Sequence, residues 1–245
     1  MTDRSSPVTE ALARDGGEGT PPAKAARRRR RLARLGVAAQ VTFVASWLLA
    51  AAWQGPRYSV LAHSISDMYA ETAPGAAFLI IVITLCGAAT IWFAWRSLRP
   101  ALRPAGRLAT AGSALLALSI FGLGDLLTVT EREACRLADP GCTASSQVSN
   151  SGGTLDGLLT TAGLLLFILA GFLLAAAMKR VPGWQAWVRP VRWTMVLMIA
   201  LLVGDGLTAG GGYSGLLERL IALTGAAGIA VLAAGVSRRS PTSAP

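Results

Sequence analysis

Arg27–Trp53 reads RRRRRLARLGVAAQVTFVASWLLAAAW, and this stretch decides the fold. Seven basic residues crowd Lys24–Arg34, and Leu35–Trp53 follows without a single charge. An apolar block of about 20 residues, rising 1.5 Å per residue as a helix, covers the roughly 30 Å hydrocarbon core of a bilayer. A basic run before an apolar segment is also the form of a signal peptide. This segment is long for that purpose, and Ala50–Ala51–Ala52–Trp53 only faintly resembles a cleavage site, so it reads as an uncleaved first span.

Comparable blocks recur at about Gly75–Trp95, Leu108–Val129, Leu155–Met178, Trp193–Ala209 and Leu216–Val236. The chain of 245 residues is 53% hydrophobic and only 15% charged, against about 25% charged in soluble proteins. The expected fold class is all-α: a polytopic membrane protein, a bundle of six transmembrane helices with both termini cytoplasmic. Residues 1–34 are expected as a disordered basic cytoplasmic arm, 35–236 as the transmembrane domain and 237–245 as a short cytoplasmic tail.

The net charge of +10 could suggest nucleic acid, but its distribution argues for a membrane. With both termini inside, nineteen of twenty-three Lys and Arg fall on the cytoplasmic side, and only Arg57, Arg132, Arg136 and Arg219 fall outside. That is the positive-inside pattern and points to a multi-pass protein of the plasma (inner) membrane. The expected partners are the bilayer itself and anionic headgroups at the basic arm; no nucleic-acid role and no cofactor are expected. All nine acids beyond residue 34 fall in outer loops or at outer span ends, so ionisable chemistry collects on the outer face.

Tyr58–Pro74, YSVLAHSISDMYAETAP, leads into the second span and carries the only histidine. His63 and Asp67 are spaced i, i+4. On a helix the carboxylate would orient the imidazole, as a general base requires, or the two would form the wet face of an interfacial helix. Ser64 or Ser66 beside His63 would be a nucleophile only with suitable geometry, and no nucleophile elbow surrounds them. Asp125, Asp156 and Asp205 stand at outer span ends, and Glu218 and Arg219 open the last span. Carboxylates at that depth are costly, which suggests mutual contact or a wet pocket. They could bind a cation or shuttle protons, or simply pair with Arg219 and solvent. One histidine excludes a three-histidine zinc site; a carboxylate site for a hard cation stays open. The candidate polar cluster is therefore His63, Ser66, Asp67, Asp125, Asp156, Asp205, Glu218 and Arg219, with His63, Asp67, Asp125 and Asp205 as the catalytic candidates.

Cys135 and Cys142 share one polar loop, where a short-loop disulfide would form in an oxidising compartment. Gly124–Thr128 and Gly204–Thr208 share the pattern G-D-x-L-T, which hints at hairpin duplication. Gly163, Gly171, Ala175 and the run Gly225–Gly228 provide small faces for helix packing.

The six-span layout, HSISDM at the second span and GDGLT followed by Gly215–Arg219 at the sixth resemble the bacterial family called domain of unknown function 998. The resemblance covers about Leu35–Val236 and implies a multi-span inner-membrane protein with no established reaction. Ile65–Ser66–Asp67 with Pro74 is also similar to the I-S-D…P entrance of a eukaryotic family of lipid-associated membrane proteins that includes autophagy modulators and GPI-anchor remodelling factors. Three functional classes follow. The first, favoured, is a non-catalytic, lipid- or envelope-associated protein with an outer polar pocket. The second is an enzyme acting on lipid headgroups at the outer leaflet. The third is a small solute or proton-coupled transporter, disfavoured because the interiors of most spans are free of ionisable groups.

Overall fold

A computed structural model describes residues 21–208 and 212–238. Among them the secondary structure is helical, with no strand. Helix α1, Pro21–Ala50, is 30 residues and so about 45 Å long, longer than the bilayer core. It runs unbroken through Lys24–Arg34, so this part of the expected disordered arm is helical. The expected tails at 1–20 and 239–245, and Gly210–Gly211 of the last tight turn, lie outside the described residues.

Helix α2, Ala76–Phe93, widens into a π-turn at Ala94–Leu98 and ends at Ala101. The Ser97 hydroxyl donates to the Arg29 carbonyl (2.9 Å), which ties the basic end of α1 to this turn. Helix α3, Arg107–Leu118, breaks at Ser119, whose ψ of 174° leaves the helical region. The chain resumes through Ile120–Leu127 at an angle of 47° to α3. Gly122 permits the tight return, because a Cβ there would lie against the Ala117 carbonyl. Next come the short α4, Ala144–Gln147, then α5, Ser151–Lys179, α6, Gln185–Leu207, and α7, Ser214–Ser237. The Asn150 side chain caps α5 by accepting from the Gly153 N–H (2.7 Å).

Five helices are long and apolar enough to cross a membrane, or six if the bent pair Arg107–Leu118 and Ile120–Leu127 is one span. The helices close a circuit. Helix α1 packs on α2, α2 on the bent segment, α3 on α5, α5 on α6, α6 on α7, and α7 returns to α1. Phe43, Phe121 and Phe167 meet at its centre with ring centroids 6.2 Å and 4.8 Å apart. Outward, Ile81, Leu85, Leu165 and Trp193 are each at least 60% exposed, the apolar surface that lipid tails would cover.

Small residues set the helix spacing. A Cβ on Gly163 would come within 2.6 Å of the Ile120 backbone nitrogen, and one on Gly225 would enter the Phe121 ring. Polar bonds between helices add to this packing: Gln40 Nε2 donates to Thr90 Oγ1 (3.0 Å), and the Cys86 thiol donates to the Ala39 carbonyl (3.2 Å). The two glycines Gly163 and Gly157 of α5 give a matched test, since nothing lies within 4 Å of a Cβ on Gly157. In detergent, Gly163→Ala is expected to lower stability by about 1–3 kcal/mol through overpacking against backbone. Gly157→Ala should be neutral or stabilising by up to about 1 kcal/mol through helix propensity. Thermal melts of the two variants check this.

Candidate functional site: the polar cap

One end of the bundle is covered by two chain segments: residues 54–75, which lie on the N-terminal turns of α7, and residues 128–150, which bond to the first segment. Arg219 holds the first segment. Its guanidinium is 7% exposed, and Nη1 donates to the carbonyls of Val60 (2.9 Å), His63 (2.7 Å) and Gly215 (2.7 Å). Nη2 donates to the Tyr58 hydroxyl, and the group lies 5.9 Å from the ring centroids of both Trp47 and Tyr58. Among the described residues Arg219 forms no ion pair with a carboxylate; backbone dipoles and aromatic faces take its charge instead. Burial pushes the Tyr58 phenol up to about 12 despite the neighbouring cation.

The loop follows the α7 surface closely. Glu218 Oε1 accepts from the Ile65 N–H (3.1 Å), the Leu216 N–H donates to the Leu61 carbonyl (3.0 Å), and the Ser214 hydroxyl donates to the Ala62 carbonyl (2.9 Å). Gly215 makes the approach possible, because a Cβ there would collide with the peptide of His63.

The expected pairing of His63 with Asp67 is not formed. Residues 58–65 are turns, and only Ser66–Tyr69 is a short 3-10 helix, so i and i+4 do not share a helical face. His63 Nδ1 accepts from the Ser59 N–H (2.9 Å), and its ring lies against Tyr58. The Ser64 hydroxyl is within 2.8 Å of the Ser66 hydroxyl and accepts from the Asp67 N–H (3.0 Å). Neither serine bonds the imidazole, so the serine–histidine nucleophile is not assembled.

Asp67 instead joins the second segment. It is fully buried, and its Oδ1 accepts from the Leu137 N–H (2.9 Å) and from Gln147 Nε2 (2.9 Å). The same Gln147 nitrogen donates to Glu133 Oε2 (2.8 Å), and Ser66 donates to Glu133 Oε1 (3.3 Å). One amide thus bridges two carboxyl groups from different segments. Burial raises the Asp67 carboxyl above its ordinary range and pushes Glu133 up to about 8, with Asp156, Asp67 and Glu218 adding to the effect on Glu133. Glu131, 2% exposed with no partner for Oε1, is likewise pushed up to about 8 by burial and by Asp156. Asp156 Oδ1 accepts from the Tyr69 hydroxyl (3.2 Å). Tyr69 is held far above its ordinary range by burial and by the charges of Asp156, Glu218, Glu131 and Glu133.

The rim is tied by arginine and asparagine. Arg132 donates to the carbonyls of Tyr69 (3.1 Å) and Ala70 (3.0 Å), and Asn150 to Glu71 Oε1 (2.9 Å) and the Arg132 carbonyl (3.1 Å). Arg136 bridges Asp139 and Gln54, which keeps Asp139 below its ordinary carboxyl range. Cys135 and Cys142 are disulfide-bonded with Cα atoms 6.1 Å apart.

Of the sequence candidates, His63, Ser66, Asp67, Asp156, Glu218 and Arg219 all belong to this cap. Asp125 lies just below it, 8% exposed, in electrostatic contact with Glu131. Asp205 does not join: among the described residues its carboxylate makes no hydrogen bond, and only its carbonyl is used, by Thr208. The G-D-x-L-T repeat is therefore a local likeness. Both threonines bond a carbonyl of their own turn, while one aspartate is buried and the other half-exposed. Glu131, Glu133, Gln147 and Tyr69 are the site residues that sequence reading missed; the alternating Glu131–Arg132–Glu133 after the third span was the available signal.

Two cavities lie away from the cap. One, about 10 Å³, is inside the bundle beside Phe167 and Met195; the other is a groove of about 320 Å³ between α6 and α7. Among the described residues no three His, Cys, Asp or Glu side chains are placed to hold a metal ion.

The model of one family, "Protein of unknown function (DUF998)", matches residues 37–235. The chain belongs to the DUF998 family. No curated protein and no solved structure matches it. In this DUF998 protein the matched region takes in the whole cap, the C-terminal half of α1 from residue 37 and most of α7, and it stops short of the basic run at 24–34.

The two raised glutamates make stability depend on pH. In the unfolded chain Glu131 and Glu133 lose protons near about 4.3, and in the folded protein near about 8. Between those values the folded state holds more protons, so stability falls as pH rises through the window. The melting temperature in detergent is expected to drop steadily from pH 5 to pH 9, and Glu133→Gln should flatten that slope. Gly215→Ala is expected to free the loop, read as faster hydrogen exchange at Ile65 and Leu216.

Proposed function

We propose that this DUF998 protein is a non-catalytic, lipid- or envelope-associated protein of the plasma (inner) membrane. It crosses the bilayer six times with both termini cytoplasmic, and its extracytoplasmic polar cap fixes the spans in register. The bent pair Arg107–Leu118 and Ile120–Leu127 counts as one crossing in this reading. Its support is the arrangement of the ends: Ser97 meets Arg29 and Arg238 lies over Trp187 at one end, while the cap segments gather at the other. Anionic headgroups meet the basic helical end of α1, Lys24–Arg34.

The observation that carries the reading is the use made of the cap's polar groups. Arg219, Asp67, Glu133, Gln147, Ser64, Ser66 and His63 Nδ1 are engaged with backbone or with one another. A general base needs the reacting proton within reach, and a nucleophile needs its base; neither pair is assembled. The cap's chemistry is that of a fastener.

The test combines stability with lipid turnover. His63→Ala should cost about 1 kcal/mol, and Asp67→Ala about 1–3 kcal/mol because it removes the acceptor of the Leu137 N–H and of one Gln147 N–H. Both variants should complement a deletion strain without changing its lipid profile. A lipid species that accumulates on deletion and stays high with a folded His63→Ala variant would turn the reading toward the headgroup enzyme. Topology is checked by labelling cysteines placed at Arg103 and Arg189: both should be shielded from an impermeant reagent in intact cells.

A further inference from the structure

The groove between α6 and α7 is lined by Pro190, Trp193, Thr194, Leu197, Leu223 and Ala227, with a volume of about 320 Å³. That falls within the usual range of ligand clefts. It opens outward, with Trp193 68% exposed at its edge. The floor is shaped by small residues, for Gly228 lies under Thr194 and a Cβ there would be 3.0 Å from its methyl. Pro190 has no N–H to give the Ala186 carbonyl and so interrupts the α6 hydrogen-bond ladder, and the Thr194 hydroxyl donates to the Pro190 carbonyl (3.0 Å). The Thr194 hydroxyl is thus turned to the backbone, and the groove wall presents a mostly apolar face.

Charge stands at one end of this apolar channel. Arg189 is one helical turn from Trp193, and Arg192 is its neighbour in sequence; both are exposed. Elsewhere at the same end, arginines lie on tryptophans: Arg96 over Trp92, Arg99 over Trp95 and Arg238 over Trp187. Among the described residues, no carboxylate, hydrogen-bond acceptor or ring takes Arg189 or Arg192. The described acids collect at the opposite end of the bundle, in the cap and at the last turn of α6. Two exposed cations, each next in sequence to a residue that lines an apolar groove, complement one molecule with a phosphate head and a hydrocarbon tail.

We infer that the α6–α7 groove binds an anionic phospholipid, with the acyl chain along Thr194, Leu197 and Ala227 and the phosphate on Arg189 and Arg192. The inference rests on the membrane-spanning reading but not on which side the termini face. Basic pockets between membrane helices recognise anionic headgroups by this combination of charge and apolar wall. Helix α6 is the least enclosed of the five long spans, with 22% of its apolar window buried, so a bound lipid would supply packing that protein does not.

Native mass spectrometry of the full chain in detergent, titrated with phosphatidylglycerol or phosphatidylcholine, tests this. One phosphatidylglycerol per chain is expected, bound in preference to phosphatidylcholine. Arg189→Gln with Arg192→Gln should weaken phosphatidylglycerol binding about tenfold or more and remove the preference. Arg96→Gln with Arg99→Gln, an equal charge loss on stacked arginines, should leave it unchanged. Ala227→Leu, which fills the groove, should weaken both lipids. Equal effects of the two arginine pairs would overturn the site in favour of a diffuse basic collar. Undiminished binding in Ala227→Leu would also overturn it, as would a dimer lost in that variant, since a second copy would then occupy the groove. The cysteine-labelling result at Arg189 fails or succeeds independently of these outcomes, so a wrong topology and a wrong lipid site are told apart.

Discussion

The structure depends on one buried cation that, among the described residues, forms no ion pair. Taking a guanidinium out of water costs several kcal/mol unless its donors are met. Arg219 meets those of Nη1 and Nη2 with the carbonyls of Val60, His63 and Gly215 and the Tyr58 hydroxyl, three of which come from the loop that it holds, while its Nε is left without a partner among the described residues. The loop can leave only by exposing or stranding that charge. The cost of burying Arg219 is thus converted into a condition on the loop's position. Gly215 supplies the matching steric condition, since any side chain there would push the His63 peptide away.

From this anchor the second segment follows. With the first loop fixed, Asp67 faces inward at zero exposure, and its Oδ1 is met by the Leu137 N–H and Gln147 while Oδ2 has no partner among the described residues. Gln147 then reaches Glu133, and the disulfide between Cys135 and Cys142 closes the turn that carries Leu137. Keeping buried acids this close, with the arginines bonded elsewhere, favours the neutral form of some of them. Burial does this for Glu131 and Glu133, whose values near 8 leave them protonated at neutral pH. Inside the rim, where Arg136 pairs with Asp139, the cap is a network of acids, amides and carbonyls, and in that form it can cover apolar helix ends.

The helical membrane architecture was readable from the sequence because the bilayer imposes a length rule that apolar blocks either meet or miss. Leu155–Met178 falls within α5, and Leu216–Val236 within α7. The basic run at Lys24–Arg34 was misjudged as unstructured because composition alone does not register that a helix already nucleated by the span extends at little further cost. The bend at Ser119 left no strong mark, since Gly122 and Gly124 are also ordinary packing residues in membrane helices. In the cap, the residues named from sequence were largely those that gather, but their pairing was not legible. His63 and Asp67 look like partners at i, i+4, yet Asp67 bonds Gln147, eighty residues away, and His63 bonds the backbone of Ser59. Contacts between separate loops are set by the bundle that brings the loops together, and local spacing carries no trace of them.

The central claim is that Arg219 fastens both cap segments, and hydrogen–deuterium exchange of the protein in nanodiscs tests it most directly. In the wild type, the N–H groups of His63, Ile65, Asp67 and Leu137 should exchange slowly and with similar protection. In Arg219→Gln, protection should fall together across Tyr58–Pro74 and at Leu137, while the helical core around Phe121 and Phe167 keeps its own. Unchanged protection at His63 and Leu137 in that variant would contradict the account.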